Sequence, residues 1–527
     1  MNLTIVSPTR AQRLAIQTRE QAFYWSAGAE GFLRKHGILN VVTTDGAGRD
    51  QHGLTIVTRE TLPVHIPSRR VILEGPIAEQ ALGALGLVAE NRCGEKLVLR
   101  KSPAGPRFAG LAYPYCRTRA IPRIRHPSMP RPCEPDDPRW ANRTIRFQTF
   151  AEAPGWETLA GVETADGYRP VVMRKDDVLV FGFPVFDLLA SGHAFPPLRE
   201  AYYDMIDSPP SPAFERWIID LVTRCARTAG APLVCMDEPW PNGHRWAFTV
   251  RHDWDRSVSW YRVLDLLRFY RTTGVRASFG FLRARTPALK ARLVKAMGHE
   301  VNVHTVGDSQ ETLAEEISAL ARVTGGPVEG FHAHGGPESA GYLGDRHFAL
   351  AQSCGLSYAE LLGRAPYLPL GIHRLSDDLP AMTSLVASSV HVSTDLGLAP
   401  HEHNLDYLLI CVQYLGEVGG QLVVMNHPDV HTAELKRIVA AAARSRPWFA
   451  TLAEVARWTR VTRLTSCVTA ADDGIALVFA EPLPHAVRVR SVLGERSARV
   501  DIPAGSVRAM LPNWHGIPPS SCAAAAE

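Results

Sequence analysis

Nine cysteines are scattered through 527 residues without a single Cys-x-x-Cys pair. That odd, dispersed set excludes a disulfide framework and a thiolate-bound zinc site, and it fits a reducing compartment. Long apolar runs are missing as well: no stretch approaches the roughly eighteen uninterrupted apolar residues that a membrane-spanning helix needs. Met1 to Arg10 lack a basic stretch followed by an apolar core, so the expected location is the cytoplasm. An excess of charge of either sign is also missing, with 57 Lys and Arg against 53 Asp and Glu. A net charge of +4, with no zinc-finger spacing and no RNP-like aromatic strand, gives no reason to expect nucleic acid as a partner. What is present is ordinary for a globular chain: 46% hydrophobic and 21% charged residues. At roughly 150 residues per domain, this length implies two to four units.

One segment departs from the average. Between Lys101 and Arg146 the chain carries Arg107, Arg117, Arg119, Arg123, Arg125 and Arg131, interleaved with Pro103, Pro106, Pro114, Pro122, Pro127 and Pro130. Prolines at that density forbid a regular helix or a central strand. The segment reads either as a solvated, proline-stiffened connection or as an arm that docks an anionic partner such as a sugar nucleotide.

Residues 1–240 alternate short apolar runs, such as Arg70 to Glu74 and Val178 to Pro184, with helical patterns at Ile77 to Ala89 and Ala213 to Ala229, which predicts an α/β unit. It holds no Gly-x-Cys-x-Gly nucleophile sequence and is read as non-catalytic. The breaker Glu238-Pro-Trp-Pro-Asn-Gly243 opens a second unit, 241–460. There strands are expected near Trp246 to Asp255, Val275 to Phe281, Glu300 to His304, Val328 to Phe331, Leu356 to Tyr358 and Gln421 to Asn426. Helices alternate with them from Ser257, Pro287, Glu311, Arg346, His403 and Thr432, and an irregular stretch is expected from Leu362 to Asp395. Such repeats predict parallel pairing, with active groups at the carboxyl ends of the strands. Residues 461–527 read as a small β module with a frayed end.

On the strand Trp246-Ala-Phe-Thr-Val-Arg-His-Asp-Trp-Asp255, alternation sends Arg251, Asp253 and Asp255 to one side and His252 and Trp254 to the other. Two carboxylates sharing a small site need a cation between them or a proton on one of them. The plainer alternative is that they cap a helix opened by Ser257. Three further strand ends carry polar groups: His304-Thr-Val-Gly-Asp308, Gly330-Phe-His-Ala-His-Gly-Gly336 and Val423-Val-Met-Asn-His427. His304 and Asp308, four apart, face the same way if the chain turns into helix there. With Asp255 they form a histidine and two-carboxylate set with room for water, typical of catalytic metal sites.

Thr249 to Asp255, Gly298-His-Glu-Val-Asn-Val-His304-Thr305, Gly330-Phe-His-Ala-His-Gly335 and Val424-Met-Asn-His427 resemble, in order and spacing, the motifs of the polysaccharide deacetylase family, also called NodB-homology or carbohydrate esterase family 4. The resemblance covers about 245–460. It implies a distorted (β/α) barrel, preceded here by an α/β unit and followed by a small β module, and metal-dependent removal of N-acetyl groups from amino sugars. Asp253 matches the family's general base, Asp255 its metal carboxylate, His304 its first metal histidine and His427 its catalytic acid. Asp308 stands where a second histidine is usual. His332 replaces an arginine that orients the base and His334 replaces a proline, so that the arginine's role falls to Arg251, to His332 or to nothing. Asp395 is a candidate partner for His427.

The resulting expectation is an intracellular, divalent-metal hydrolase, with zinc the expected ion, acting on an N-acetylated amino sugar in a glycan, sugar-conjugate or natural-product pathway. The rivals are a hydrolase of a non-sugar amide on the same fold and a non-catalytic scaffold of envelope-glycan assembly.

Overall fold

The computed structural model describes residues 3–6, 23–24, 28–44, 53–57, 70–75, 77–90, 96–99, 112–114, 148–164, 166–183, 185–186, 212–282, 287–305, 309–334, 345–362, 368–375, 380–390, 392–394, 409, 412–413, 415–417, 419–471 and 474–512. Asp308, Asp395, most of the Lys101–Arg146 segment and of the helix expected from His403, and the end of the chain lie outside the described residues.

The first strands are β1 (Leu3–Val6), β2 (Phe23–Tyr24), β3 (Val41–Thr44), β4 (Thr55–Val57), β5 (Val71–Glu74), β6 (Lys96–Leu99), β7 (Ala112–Pro114), β8 (Glu157–Thr164), β9 (Gly167–Lys175) and β10 (Val178–Phe181). All but β2 join one sheet in the order β3-β1-β4-β5-β10-β9-β8-β6-β7. The run from β3 to β10 is parallel and the remainder antiparallel. In the parallel part the first two strands are exchanged in space, the doubly wound pattern of open α/β sheets. The helix Pro212–Thr228 lays Trp217, Leu221, Val222 and Cys225, one helical face, against Val171, Leu179 and Phe181.

A second sheet follows β11 (Leu233–Met236). Its members are β12 (Ala247–Trp254), β13 (Ala277–Phe281), β14 (Glu300–Thr305), β15 (Gly330–Ala333), β16 (Tyr358–Leu362), β17 (Leu370–Leu375), β18 (Pro380–Val390), β19 (Val392–Ser393) and β20 (Gln421–Asn426). β12 to β16 pair in sequence, all parallel, through helices Trp260–Thr273, Ala288–Ala296, Gln310–Thr324 and Asp345–Ser353. Ser259, rather than Ser257, caps the first helix by accepting from the Arg262 N–H, and Gly274 ends it at φ 71°, a conformation that favours glycine.

The stretch from Leu362 to Asp395, expected to be irregular, instead closes the sheet. β18 pairs parallel with β16 (Tyr358↔Val386), and β19, one residue further on, pairs parallel with β20 (Val392↔Val424), which pairs with β12. β18 and β19, consecutive in the chain but for one residue, thus pair with the two ends of the sheet, making the expected distorted (β/α) barrel. β18 escapes sequence reading because Pro-Ala-Met-Thr-Ser-Leu-Val-Ala-Ser-Ser-Val is rich in small residues and has no apolar alternation. β17 pairs antiparallel with β18 and carries β2 on its far edge.

Beyond β21 (Trp448–Phe449) and the helix Leu452–Thr459 come β22 (Cys467–Ala471), β23 (Gly474–Val478), β24 (Val487–Leu493), β25 (Arg496–Ile502) and β26 (Arg508–Leu511). They form two small antiparallel sheets, β22-β23-β26 and β11-β24-β25. The second is assembled from both sides of the barrel, with Leu233 opposite Val492. Among the described residues no helix is long and apolar enough to cross a membrane.

Candidate metal centre

The carboxyl ends of β12, β14, β15 and β20 converge on one small volume. Asp255 directly follows β12, His304 is the next-to-last residue of β14, His334 directly follows β15 and His427 directly follows β20. One ligand atom each from Asp255, His304 and His334 can be chosen so that all lie within 4.8 Å of one another. The His304 and His334 rings meet edge to face with centroids 4.8 Å apart. Asp255 Oδ2 lies 3.3 Å from His427 Nε2 and 3.7 Å from His334 Nε2.

Two observations test whether these residues suit a metal ion. Asp255 Oδ1 and His304 Nδ1 are both buried and find no hydrogen-bond partner among the described residues, a cost that a bound cation with its water would relieve. The protonation states also fit. Burial, reinforced by the Arg251 charge, holds His304 well below the usual histidine range, leaving a neutral imidazole with a free lone pair. Burial pushes Asp255 upward but is outweighed by hydrogen bonds from His334 and His427, so its carboxyl lies well below the usual range and is ionised. One carboxylate and two imidazoles, with no further protein ligand in the group among the described residues, is the donor set of a catalytic zinc-type site. Asp255 and His304 are two of the expected ligands. The third member of the group is His334 from the strand β15, which the sequence reading placed only in support.

Asp253 stands beside the group with one oxygen 3.7 Å from His304 Nε2. Arg251, two residues back on the same face of β12, donates from Nη1 to Asp253 Oδ2 over 2.6 Å. Arg251 is thus the side chain that holds Asp253 in place, while His332 Nδ1 stays 4.0 Å from Asp253 Oδ1. Arg251 is itself fixed from behind: Nε is 2.7 Å from Glu360 Oε2 on β16, and both side chains are wholly buried. Burial pushes Glu360 up to about 8 against the pull of that guanidinium.

Sequence reasoning missed Glu360, Asn302, Tyr358 and Gly280. Gly280, on β13 between β12 and β14, leaves the space through which Arg251 reaches His332: a Cβ there would lie 2.7 Å from His332 Nδ1 and 3.2 Å from His304 Cβ. Gly330 likewise makes room for the Tyr358 ring, 2.3 Å from where its Cβ would be. The signal was an isolated glycine inside a strand pattern, which marks a close approach. On the opposite face of β12, His252 contacts the Asn426 carbonyl through Nδ1 at 3.1 Å and the Tyr270 hydroxyl through Nε2 at 2.6 Å. Burial lowers it to about 3, so it is a neutral structural histidine that braces the backbone just before His427.

No family model and no curated protein matches the chain. Solved structures similar to it include a candidate polysaccharide deacetylase from Mycobacterium smegmatis (18% identity over 44% of this chain and 96% of that one, TM-score 0.35). A chitin deacetylase from the fungal pathogen Colletotrichum lindemuthianum is 13% identical over 41% of this chain and 88% of its own, with a TM-score of 0.28. BA3943, a CE4 family pseudoenzyme from Bacillus anthracis, is 14% identical over 41% and 66%, with a TM-score of 0.29. Likenesses this remote leave the chemistry of the site to be judged on its own atoms.

Proposed function

We propose that the chain is a metal-dependent N-deacetylase acting on an N-acetylated amino sugar in a glycan, sugar-conjugate or natural-product intermediate. The observation that carries this reading is the grouping of Asp255, His304 and His334 between an arginine-held carboxylate, Asp253, and a histidine, His427. Asp255, His304 and His334 would hold a divalent ion, with zinc expected from the donor set; when bound, such an ion supplies Lewis acidity toward an amide carbonyl and lowers the pKa of water.

The remaining steps belong to the protein. Asp253, aimed by Arg251 Nη1, accepts the proton of the attacking water. His427, beside Asp255, delivers a proton to the departing amine nitrogen, without which an amine anion would have to leave. Asp255 holds the His427 ring at 3.3 Å and so fixes its direction. The rim supports a sugar substrate: Trp260, Tyr261 and Leu264, at the start of the helix after β12, are 42%, 80% and 53% exposed, and Leu289, at the start of the next helix, is 65% exposed. Both helices begin at the same end of the barrel as the site, so aromatic and aliphatic surface is available there for the apolar face of a pyranose ring.

The test is acetate release from a panel of N-acetylated amino sugars and their oligomers, with and without a chelator. Chelator-sensitive release lost in Asp253→Asn supports the reading. A fully metal-loaded protein that releases acetate from none of them, but cleaves a non-sugar amide, overturns the substrate class.

A further inference from the structure

Below the metal group a line of buried polar side chains runs from Arg251 to the start of the helix Leu452–Thr459. Arg251 Nε donates to His332 Nδ1 over 3.1 Å, and His332 Nε2 lies 3.1 Å from the side-chain amide of Asn302. That amide is 2.6 Å from the Tyr358 hydroxyl, which is 2.6 Å from Glu300 Oε1. Glu300 Oε2 accepts from the Ser278 hydroxyl at 2.6 Å and from the Ala453 N–H at 3.1 Å, and Ser278 Oγ accepts from the Leu452 N–H at 2.8 Å.

Protons can be counted along this line. A guanidinium only donates, so His332 Nδ1 carries no proton, and in a neutral ring Nε2 must carry it. A ring that accepts at Nδ1 is not an imidazolium, so its one proton sits on Nε2. Nε2–H needs an acceptor, so Asn302 turns its amide oxygen toward His332; which end of an amide is oxygen is settled by such networks. The same oxygen then faces Tyr358, which gives it its only proton. Tyr358 has none left for Glu300, yet two oxygens 2.6 Å apart need a proton between them. Glu300 has to supply it, and Glu300 Oε2 becomes a carbonyl oxygen that accepts twice, as Ser278 and Ala453 require.

We infer that Glu300 is a neutral carboxylic acid at pH 7 and that, with Tyr358 and Asn302, it is a positioning residue: it locks the tautomer of His332 and so the placement of Arg251 against Asp253. Burial pushes Glu300 upward in agreement with this state. The groups around it are Ser278 on β13, Asn302 on its own strand, Tyr358 on β16 and the Ala453 N–H at the opening of the last helix of the barrel unit, with the Arg251 guanidinium and the Glu360 carboxyl the nearest other ionisable groups in the same layer.

Infrared spectroscopy of protein labelled with 13C-glutamate, at pH 7, tests the protonation directly. A carboxylic-acid carbonyl band lost in Glu300→Gln but retained in Glu360→Gln is the expected result; a spectrum unchanged by Glu300→Gln overturns it. Glutamine can donate to Tyr358 and accept from Ser278, so Glu300→Gln should leave the urea unfolding midpoint in place while Glu300→Ala lowers it. Equal losses in both variants would mean an ionised Glu300. Nitrogen NMR of labelled histidine should show His332 protonated at Nε2 in the wild type, with that signature lost or mixed in Tyr358→Phe; an Nδ1-protonated ring contradicts the inference. The rate arm alone rests on the deacetylase reading: Tyr358→Phe should lower kcat about tenfold with KM and metal content unchanged, and an unchanged kcat would remove the positioning role while leaving the spectroscopic arms to judge the protonation.

Discussion

The chain contains two sheets with long parallel runs, and among the described residues only one of them ends in a group of metal-type donors. In the N-terminal sheet the parallel strands finish at Val6, Thr44, Val57, Glu74 and Phe181; Glu74 is buried and accepts the Phe186 N–H at 2.9 Å, and the residues that follow Val6, Thr44 and Val57 lie outside the described residues. In the barrel the equivalent positions are Asp255, His304, His334 and His427, with donor atoms left over. Similar architecture and similar apolar strand interiors therefore say nothing about activity; the residues at the carboxyl ends of the strands do. The barrel also differs underneath: Arg251, His332, Asn302, Tyr358 and Glu360 are almost completely buried polar groups linked to one another, a costly arrangement that holds the end groups in place.

This contrast can be broken in graded steps. The largest effect is expected from Asp255→Ala, which should reduce any acetate release by about 10³-fold or more through loss of metal and of the His427 contact; the assay is initial rate at saturating metal. Arg251→Met should cost about 3–5 kcal/mol in urea unfolding, because Asp253 is left without its buried cation. A change confined to the N-terminal unit should appear as a pH effect instead. His36 is buried and lowered to about 4, chiefly by burial, despite the Glu215 carboxylate at 3.0 Å. Its neutral form is favoured in the fold, so its contribution is complete above about pH 6.5 and is lost as pH falls through about 4. His36→Gln should remove on the order of 3 kcal/mol from the acid-side slope, measured as unfolding midpoint against pH, without affecting metal content.

Smaller effects follow. Gly280→Ala puts a Cβ 2.7 Å from His332 Nδ1 and should cost about 1–3 kcal/mol with a reduced rate. Glu74→Gln should change stability by about 1 kcal/mol or less and leave metal binding and hydrolysis untouched, since its site is only a loop anchor.

Much of this was legible in the chain. The strand bearing Asp253 and Asp255 announces itself by a buried apolar run that ends in acid, and the recurrence of histidine at successive strand ends places His304 and His427. His334 was visible, but spacing drew attention to Asp308, four residues from His304 and outside the described residues, and gave no sign that a residue thirty positions on lies beside His304 at the end of the neighbouring strand. Neighbourhood across a parallel sheet is set by register, which one sequence does not contain. Glu360, Asn302 and Tyr358 were hidden for a related reason: each is a single polar residue in a strand, meaningful only once Arg251 and His332 are seen to point at it. The closing strand β18 was lost to its small-residue composition, and the pairing of β11 with β24 joins segments about 250 residues apart, beyond any local pattern.

The central claim is that Asp255, His304 and His334 form one metal site. Elemental analysis of protein purified without chelator and supplied with a divalent ion tests it most directly, comparing the wild type with His334→Ala and Asp308→Ala. Near one equivalent of zinc or a similar ion in the wild type and in Asp308→Ala, lost in His334→Ala, is the predicted result. Full metal retention in His334→Ala, or no metal in the reconstituted wild type, would contradict it.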